Sequence, residues 1–245
     1  LGVELITSLG ILAKEVSEVK VVVSGASASA ISCAEHWVLL GVKRENITMC
    51  DSKGIITKNR AEAGGLSSQK ERFAQECPDG DLASAMVGAD VFLGLSKGDI
   101  VTTSMLREMR ERPIIFALAN PTPEIMPDIA KAARPDAIVA SGRSDFSNQV
   151  NNVLGFPYIF RGALDCMAKT ISPGMKMAAT KALADLAKEP VPDSVSQAYD
   201  LDLITFGEDY IIPKPFDRRV LLFVASAVAE AAVAEGVVGM PASEF

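Results

Sequence analysis

Five short apolar stretches alternate with helical patterns up to Gly142, and this alternation constrains the fold more than any other feature of the sequence. Each stretch is continuously apolar, which is typical of strands that are buried on both faces. Strands that alternate with helices form βαβ units and a parallel sheet. The predicted strands are Val19–Ser24, Asn46–Asp51, Ala89–Ser96, Pro113–Asn120 and Ala137–Gly142. We therefore expect an α/β fold with a doubly wound parallel sheet and a ligand at the carboxyl ends of its strands.

The loop after the first predicted strand matches most of a phosphate-binding fingerprint. It runs from Ser24 to Ala30 with the sequence SGASASA, and the fingerprint is G-x-G-x-x-G/A at the start of a helix. Gly25 fits the tight-turn position and Ala30 the position where helix and strand pack closely, whereas Ser27 replaces the middle glycine. The helix N-terminus still offers N–H groups and a positive dipole to a phosphate. The sequence thus predicts a Rossmann-like dinucleotide-binding domain, and a domain of that fold whose loop is only a tight turn is the alternative.

Asp51 ends the second predicted strand, where a carboxylate can accept a hydrogen bond from the ribose 2′-OH of a dinucleotide. A carboxylate at this position favours NAD, because it would repel the 2′-phosphate of NADP. Three cations, Lys53, Lys58 and Arg60, follow closely and could attract that phosphate. The sequence leaves the choice between NAD and NADP open.

The pattern becomes mostly helical after Asn152. The predicted helices are Pro157–Lys169, Pro173–Lys188 and Asp217–Glu235, with a short extended piece at Tyr210–Pro213. We place a domain boundary near residue 151, so that residues 1–151 form the dinucleotide-binding domain and residues 152–245 a helical segment. The chain opens at Leu1 inside a helical pattern, and we expect it to be a piece of a longer protein.

Charge and cysteine content exclude several classes of partner. The net charge of −7, with no basic block, argues against nucleic acid and anionic membranes. No apolar run reaches the about 18 residues of a membrane span, and we find no signal peptide. Cysteines 33, 50, 77 and 166 show neither C-x-x-C nor zinc spacing, so we expect reduced thiols in a cytoplasmic protein and no metal site in this chain.

Several strings resemble the malic enzymes. They are PIIFALANP (113–121), ASGRSDFSNQVNN (140–152), VLGFPYIFRGAL (153–164), IPKPFD (212–217) and the loop region 25–60 with CDSKGII. The resemblance runs from the first helix to about Gly236, and NQVNN and FPYIFRGAL are its most specific strings. It implies oxidative decarboxylation of malate to pyruvate and CO2, with NAD or NADP as hydride acceptor, Mg²⁺ or Mn²⁺ as Lewis acid, and a homodimer.

The resemblance also implies roles for individual residues. Asn120 is similar to the family asparagine that contacts substrate and nicotinamide ribose, and Asn151 and Asn152 resemble a pair at the substrate. Of these, Asn152 is the preferred partner of the malate carboxylate, because an amide orients a carboxylate without titrating. The cofactor-binding positions implied are Gly25, Ser27, Ala28, Asp51, Gly94, Ser96 and Asn120. Among them, Gly94 and Ser96 resemble the residues that line the nicotinamide side.

The chain also departs from the family pattern. The catalytic tyrosine and lysine and the metal-ligand carboxylates of the family precede the first helix of the cofactor domain, and no residue here corresponds to them. We therefore predict no catalytic acid or base and no metal ligand in this chain, and expect it to be inactive without a missing N-terminal domain. Ser27 stands where the family usually has glycine.

Other interpretations remain. The chain could be a dinucleotide-binding regulatory module without chemistry, or part of another dehydrogenase, although the three asparagines argue against both. The sequence Gly94–Gly98 matches the G-x-S-x-G of a hydrolase nucleophile elbow, but the only histidine, His36, lies upstream of the serine rather than after it. Arg161, within an apolar stretch, is expected to form a structural ion pair rather than a substrate clamp.

Overall fold

The computed structural model describes residues 1–201 and 203–239 and contains a six-stranded sheet. The strand order is β3-β2-β1-β4-β5-β6, and all neighbours are parallel except β2 and β3. The strands are β1 Val21–Ser24, β2 Ile47–Asp51, β3 Gly54–Ile55, β4 Val91–Gly94, β5 Ile114–Ala117 and β6 Ile138–Ser141. The five predicted strands are all present and slightly shorter than predicted. The antiparallel edge strand β3 was not predicted, because its two residues lie in a stretch rich in Lys, Gly and Ser that shows no strand pattern.

The described helices fall into two groups along the chain. Helices α1 Gly2–Leu12, α2 Ala28–Leu39, α3 Lys58–Glu62, α4 Ser68–Glu71, α5 Leu82–Met86, α6 Thr103–Arg107 and α7 Pro127–Ala133 precede or connect the strands. Helices α8 Phe156–Asp165, α9 Pro173–Lys188, α10 Asp193–Ala198 and α11 Arg219–Ala234 follow the sheet, and 3₁₀ turns lie at Arg44–Asn46 and Asn152–Leu154. The sequence pattern predicts a helix over Glu124–Ala133, but α7 begins at Pro127, and Glu124 lies in the loop before it.

One face of the sheet carries a core formed by residues in register. Val22, Phe92 and Ile115 lie side by side on β1, β4 and β5 and are at most 2% exposed. They share a cluster with Leu106 of α6 and Ala130 of α7. This face is therefore covered by helices that follow β3, β4 and β5.

The opposite face is covered by α2. Phe116 is the next residue along β5 and so points to the other side of the sheet. Its ring lies 6.2 Å from that of Trp37 on α2, in an edge-on arrangement. Trp37 is fully buried, and its indole Nε1–H donates to the carbonyl of Leu1 at 2.9 Å. Helices on both faces of a mostly parallel sheet confirm the predicted doubly wound, Rossmann-like fold.

The chain divides into two compact units. The first comprises Leu1–Gly2 and Ser8–Val150, and the second comprises Val3–Thr7 and the described residues from Asn151 onward. The division of function between residues 1–151 and 152–245 stays a prediction.

The second unit is built around α11, which packs against α8 and α9. Gly162 permits close approach of α8, because a Cβ there would lie 2.4 Å from the carbonyl oxygen of Ala225. The extended piece predicted at Tyr210–Pro213 was wrong: Gly207 and Tyr210 form an isolated bridge across a turn. Helix α10 was not predicted.

No helix in residues 1–201 and 203–239 is long and apolar enough to cross a membrane.

Candidate functional site at the carboxyl edge of the sheet

The crevice between β1 and β4 is the topological switch point of the sheet. From β1 the chain continues to β2 on one side, and from β4 it continues to β5 on the other. Ser24 and Ser96, at the carboxyl ends of these strands, are joined by a hydrogen bond of 2.9 Å between their hydroxyls. Open α/β sheets bind their ligands at such a point.

Gly25 is the residue that allows the chain to turn at the end of β1. Its φ is +115°, and a Cβ there would lie 2.6 Å from the carbonyl oxygen of Leu95. Its N–H donates to the carbonyl of Cys50 at 2.8 Å, which holds the turn against β2. Both the dihedral and the close approach exclude any side chain, so the tight-turn role predicted for Gly25 agrees with the geometry.

Ser27 is the N-cap of α2. Its backbone is extended, with φ −77° and ψ 172°, and its hydroxyl accepts a long hydrogen bond of 3.5 Å from the N–H of Ala30. The hydroxyl also pairs with that of Ser29 at 2.8 Å. No positive φ demands glycine at this position, and serine is among the preferred N-cap residues. The sequence comparison with the fingerprint missed this role, although a serine before a helical pattern is a capping signal.

The cradle at this turn fits a pyrophosphate. Ser27 and Ala28 are exposed and Ala30 is buried. The first N–H groups of a helix have no backbone acceptor within the helix, and at the start of α2 only that of Ala30 is described as capped, by Ser27, so the exposed start of α2 is suited to an anion. Small side chains at these positions leave the backbone accessible, as phosphate binding requires.

Asp51 lies at the end of β2 with its carboxylate already engaged. Oδ1 accepts from the Lys53 backbone N–H at 2.9 Å, and Oδ2 accepts from the Arg60 guanidinium at 2.9 Å, with the ammonium of Lys70 3.9 Å away. Burial alone would raise the pKa of Asp51, but the hydrogen bonds from Arg60 and Lys53 and the nearby positive charges outweigh it, so this pKa lies below its ordinary value. The carboxylate is held ionised, with lone pairs left for a ribose hydroxyl.

Two of the three cations predicted near a 2′-phosphate are occupied by other partners. Arg60 also donates from Nη1 to the carbonyls of Gly54 and Ile55, at 3.0 and 2.8 Å. Lys58 pairs with Glu76 at 2.7 Å. Lys53 is exposed. Arg60 is therefore a fixed part of the turn around β3 rather than a mobile phosphate ligand.

The loops after β4 and β5 are joined by a buried carboxylate that sequence reasoning missed. Glu124 is fully buried, and its two oxygens accept from the backbone N–H groups of Ser96 and Ala119, each at 3.0 Å. A Cβ on Gly94 would lie 2.3 Å from the carboxyl carbon of Glu124. Asn120, next to Ala119, is exposed at the same edge.

The G-x-S-x-G string does not form a nucleophile elbow. The Ser96 hydroxyl bonds to that of Ser24, and His36 lies within α2. Gly98 is packed under the loop after β5, since a Cβ there would lie 2.6 Å from the carbonyl oxygen of Thr122. The two glycines are therefore explained by the approach of that loop.

The remaining candidate asparagines belong to the second unit. Asn151 caps the 3₁₀ turn Asn152–Leu154, with its side-chain oxygen accepting from the N–H of Val153 at 3.0 Å. Asn152 is exposed. The ion pair predicted for Arg161 is present, with Asp165 at 2.8 Å one helical turn away.

Within residues 1–201 and 203–239, no group of three or more His, Cys, Asp or Glu side chains is placed to hold a metal ion. The candidate residues are distributed over both units. In the first unit they lie at the loops after β1, β2, β4 and β5, and in the second unit they lie at the 3₁₀ turn.

Comparison with known proteins adds the family. Residues 3–199 match the family model described as "Malic enzyme, NAD binding domain". This chain belongs to the malic enzyme family. It is 50% identical to the NAD-dependent malic enzyme of Rhizobium meliloti over 98% of its length, and 51% identical to the NADP-dependent malic enzyme of Haemophilus influenzae over 97%. The resemblance inferred from NQVNN and FPYIFRGAL is thus confirmed.

Solved structures of the family share the fold. The malic enzyme of Pyrococcus horikoshii superposes with a TM-score of 0.86 at 34% identity over 98% of this chain, and that of Thermotoga maritima with 0.79 at 36% identity over 93%. The chain spans 31% of each of the two relatives above and 54% and 56% of the two structures. It therefore corresponds to one part of each of these longer polypeptides.

Proposed function

We propose that the protein containing this chain oxidatively decarboxylates malate to pyruvate and CO2, with NAD or NADP as hydride acceptor. This chain would supply the cofactor domain and part of the substrate site. The observation that carries the proposal is the switch-point crevice, where Gly25 and the capped N-terminus of α2 form a pyrophosphate cradle. Membership of the malic enzyme family supports the choice of reaction.

Each group of candidate residues has a defined task in this proposal, and Gly94 and Ser96 line the nicotinamide side of the cofactor site. The N–H groups at the start of α2 bind the pyrophosphate, and Asp51 accepts from an adenosine ribose hydroxyl. Asn120 orients the nicotinamide ribose and the substrate, and Asn152 donates to the malate carboxylate, with Asn151 holding the turn on which Asn152 lies. The bound dinucleotide supplies the hydride acceptor. None of these groups transfers a proton.

The acid, the base and the ligands for Mg²⁺ or Mn²⁺ would come from an N-terminal domain that this chain does not contain. Exposed apolar side chains on the second unit support such a partner. Phe156, Phe160 and Leu164 lie at intervals of four residues along α8 and are 64%, 47% and 72% exposed. The rings of Phe156 and Phe160 lie next to each other, with centroids 5.3 Å apart. Phe216 and Leu222 are also exposed, and exposed apolar side chains that cluster often mark an interaction surface. We propose that this surface packs against the N-terminal domain.

We also propose a cytoplasmic homodimer. The four cysteines are thiols rather than disulfides, which suits a reducing compartment. Burial, followed by the charges of Asp51 and Asp81, raises the pKa of Cys50 to about 12, so that this thiol stays protonated and inert. The homodimer rests on family membership alone.

Calorimetric titration of the chain with NAD and with NADP is the first test. Binding of either in the micromolar to low millimolar range supports the cradle, and the tighter ligand identifies the cofactor. Binding of neither contradicts the cofactor assignment. The chain alone should not reduce either dinucleotide in the presence of malate, and turnover by the pure chain would contradict the missing acid and base.

The complete enzyme tests the substrate assignment. Asn152→Ala should lower kcat/KM for malate about ten- to hundredfold, the loss expected for a hydrogen bond to a charged group. Asn59→Ala, at an exposed position on α3, is the matched control and should leave kcat/KM unchanged. Unaltered kinetics in Asn152→Ala would contradict its role. A complete protein that binds the dinucleotide but never oxidises malate would favour the regulatory-module hypothesis.

A further inference from the structure

The carboxylate of Glu124 connects the two loops that the proposed function assigns to the nicotinamide half of the dinucleotide. Oε1 accepts from the N–H of Ser96 on the loop after β4, and Oε2 accepts from the N–H of Ala119 on the loop after β5. Both distances are 3.0 Å, and the side chain is fully buried. This side chain therefore contributes to the spacing between Ser96 and Asn120, which directly follows Ala119.

Backbone hydrogen bonds around Glu124 also join the two loops. The N–H of Val101 donates to the carbonyl of Glu124, and that of Asp99 to the carbonyl of Pro123, both at 3.0 Å. The loop after β5 is thus laid along the loop after β4. Gly94 leaves the space that the carboxylate fills, because any Cβ there would overlap it.

We propose that Glu124 is a positioning residue for the nicotinamide end of the cofactor site, acting through Ser96 and Asn120 without touching the cofactor itself. The inference rests on the proposed function. If Glu124 only stabilised the fold, its loss should weaken the binding of every part of the ligand. A positioning residue should affect only the half of the ligand that its loops contact. The adenosine half is assigned to different elements, the turn at Gly25 and the end of β2 at Asp51.

Glutamine cannot replace this glutamate. Each carboxylate oxygen accepts from a different N–H, whereas an amide has one oxygen and an NH2 group that only donates. In Glu124→Gln one of the two loops therefore meets a donor facing its own donor and must move away. The side-chain volume is nearly unchanged, so the core beneath the loops is retained.

The experiment compares whole and half ligands on the 245-residue chain. Wild type and Glu124→Gln are titrated with NAD and NADP, and with ADP and adenosine 2′,5′-bisphosphate as probes of the adenosine half. We expect the affinity for the preferred dinucleotide to fall about tenfold, as for an unsatisfied buried hydrogen-bonding group, and that for the matching half ligand to stay within about twofold. Glu108→Gln, at an exposed position after α6, is the control and should change neither affinity.

A second variant tests the same contact from the side of β4, without changing the glutamate. Gly94→Ala keeps the carboxylate but displaces it, since the new Cβ would lie 2.3–2.6 Å from three atoms of its carboxyl group. It should show the same loss confined to the dinucleotide. If the double variant loses no more than either single variant, the two changes act on one contact.

The outcomes separate this inference from the function on which it rests. Equal loss of dinucleotide and half ligand would show a general structural role and overturn the inference. Unchanged dinucleotide affinity in both variants would overturn it as well, while the cofactor assignment stands. Failure of the wild-type chain to bind any of the four ligands would overturn the cofactor assignment and the inference with it.

Discussion

The charge of Asp51 should control which dinucleotide the chain prefers. Asp51→Asn keeps the shape of the side chain and an acceptor for the Lys53 N–H, but removes the negative charge. Arg60 should stay in place, because its Nη1 remains bonded to the carbonyls of Gly54 and Ile55. The variant therefore presents a fixed, no longer neutralised cation where the wild type presents an ion pair.

The magnitude follows from Coulomb's law. Two unit charges about 5 Å apart interact by roughly 1–2 kcal/mol at an effective dielectric constant of about 40–80. A 2′-phosphate carries about 1.5–2 negative charges near neutral pH. Removing the carboxylate should thus favour NADP over NAD by about 1.5–3 kcal/mol, which is about ten- to hundredfold in the ratio of dissociation constants. We expect the lower end, because Arg60 already neutralises part of the charge of Asp51.

The assay is competitive or calorimetric titration of NAD and NADP at low and high salt. The shift should shrink at high salt, since exposed charges are screened there. Glu45→Gln is the matched control: it makes the same change in net charge at an exposed position in the 3₁₀ turn before β2, at the opposite end of that strand from Asp51. A ratio that is unchanged in Asp51→Asn, or that changes equally in Glu45→Gln, would refute the placement of Asp51 at the ribose.

Two further variants test the turn itself. Gly25→Ala should lower the free energy of unfolding in denaturant by about 2–4 kcal/mol, because it adds a Cβ at a positive φ and 2.6 Å from the Leu95 carbonyl oxygen. Gly10→Ala, with open space around the new Cβ on α1, should be neutral or stabilising, and equal losses in both would contradict the argument. Ser27→Gly should keep dinucleotide affinity within about threefold, because an N-cap glycine costs only a few tenths of a kcal/mol. A gain of more than tenfold would show that the serine side chain obstructs the pyrophosphate.

The central sheet was predictable because its signals are local. Continuous apolar runs such as Val21–Ser24 identify buried strands wherever they occur. The spacing from strand ends also predicts Gly25 and Asp51 as site residues, since the turn and the end of the next strand occur at regular positions in βαβ units. The two-residue strand β3 lacks such a signal, because it exists only through its pairing with β2. Helix α10 was not predicted because its six residues are too few to show a helical period in the sequence.

Glu124 shows where such prediction ends. The residue sits in a proline-rich loop before α7, and nothing in its neighbours along the chain indicates burial. Its environment is created when the loop folds back over β4, so its carboxylate meets the N–H of Ser96, which lies 28 positions earlier in the chain. The capping role of Ser27 does have a local signal, a serine directly before a helical pattern. The same position corresponds to the middle glycine of the fingerprint, and the serine was therefore interpreted only as a replacement for that glycine.

The need for glycine at Gly94 and Gly98 also comes from a distant part of the chain. Their spacing around Ser96 imitates a nucleophile elbow, in which glycines make room for a strained serine. Here the room is taken by Glu124 and Thr122, so the requirement for glycine comes from a distant loop and not from the serine between them. Substitution at either position should therefore disturb the loop after β5 before it affects Ser96. Because the proposed function assigns Asn120 to the nicotinamide, the same glycines help to shape the cofactor site through the loop that carries Asn120.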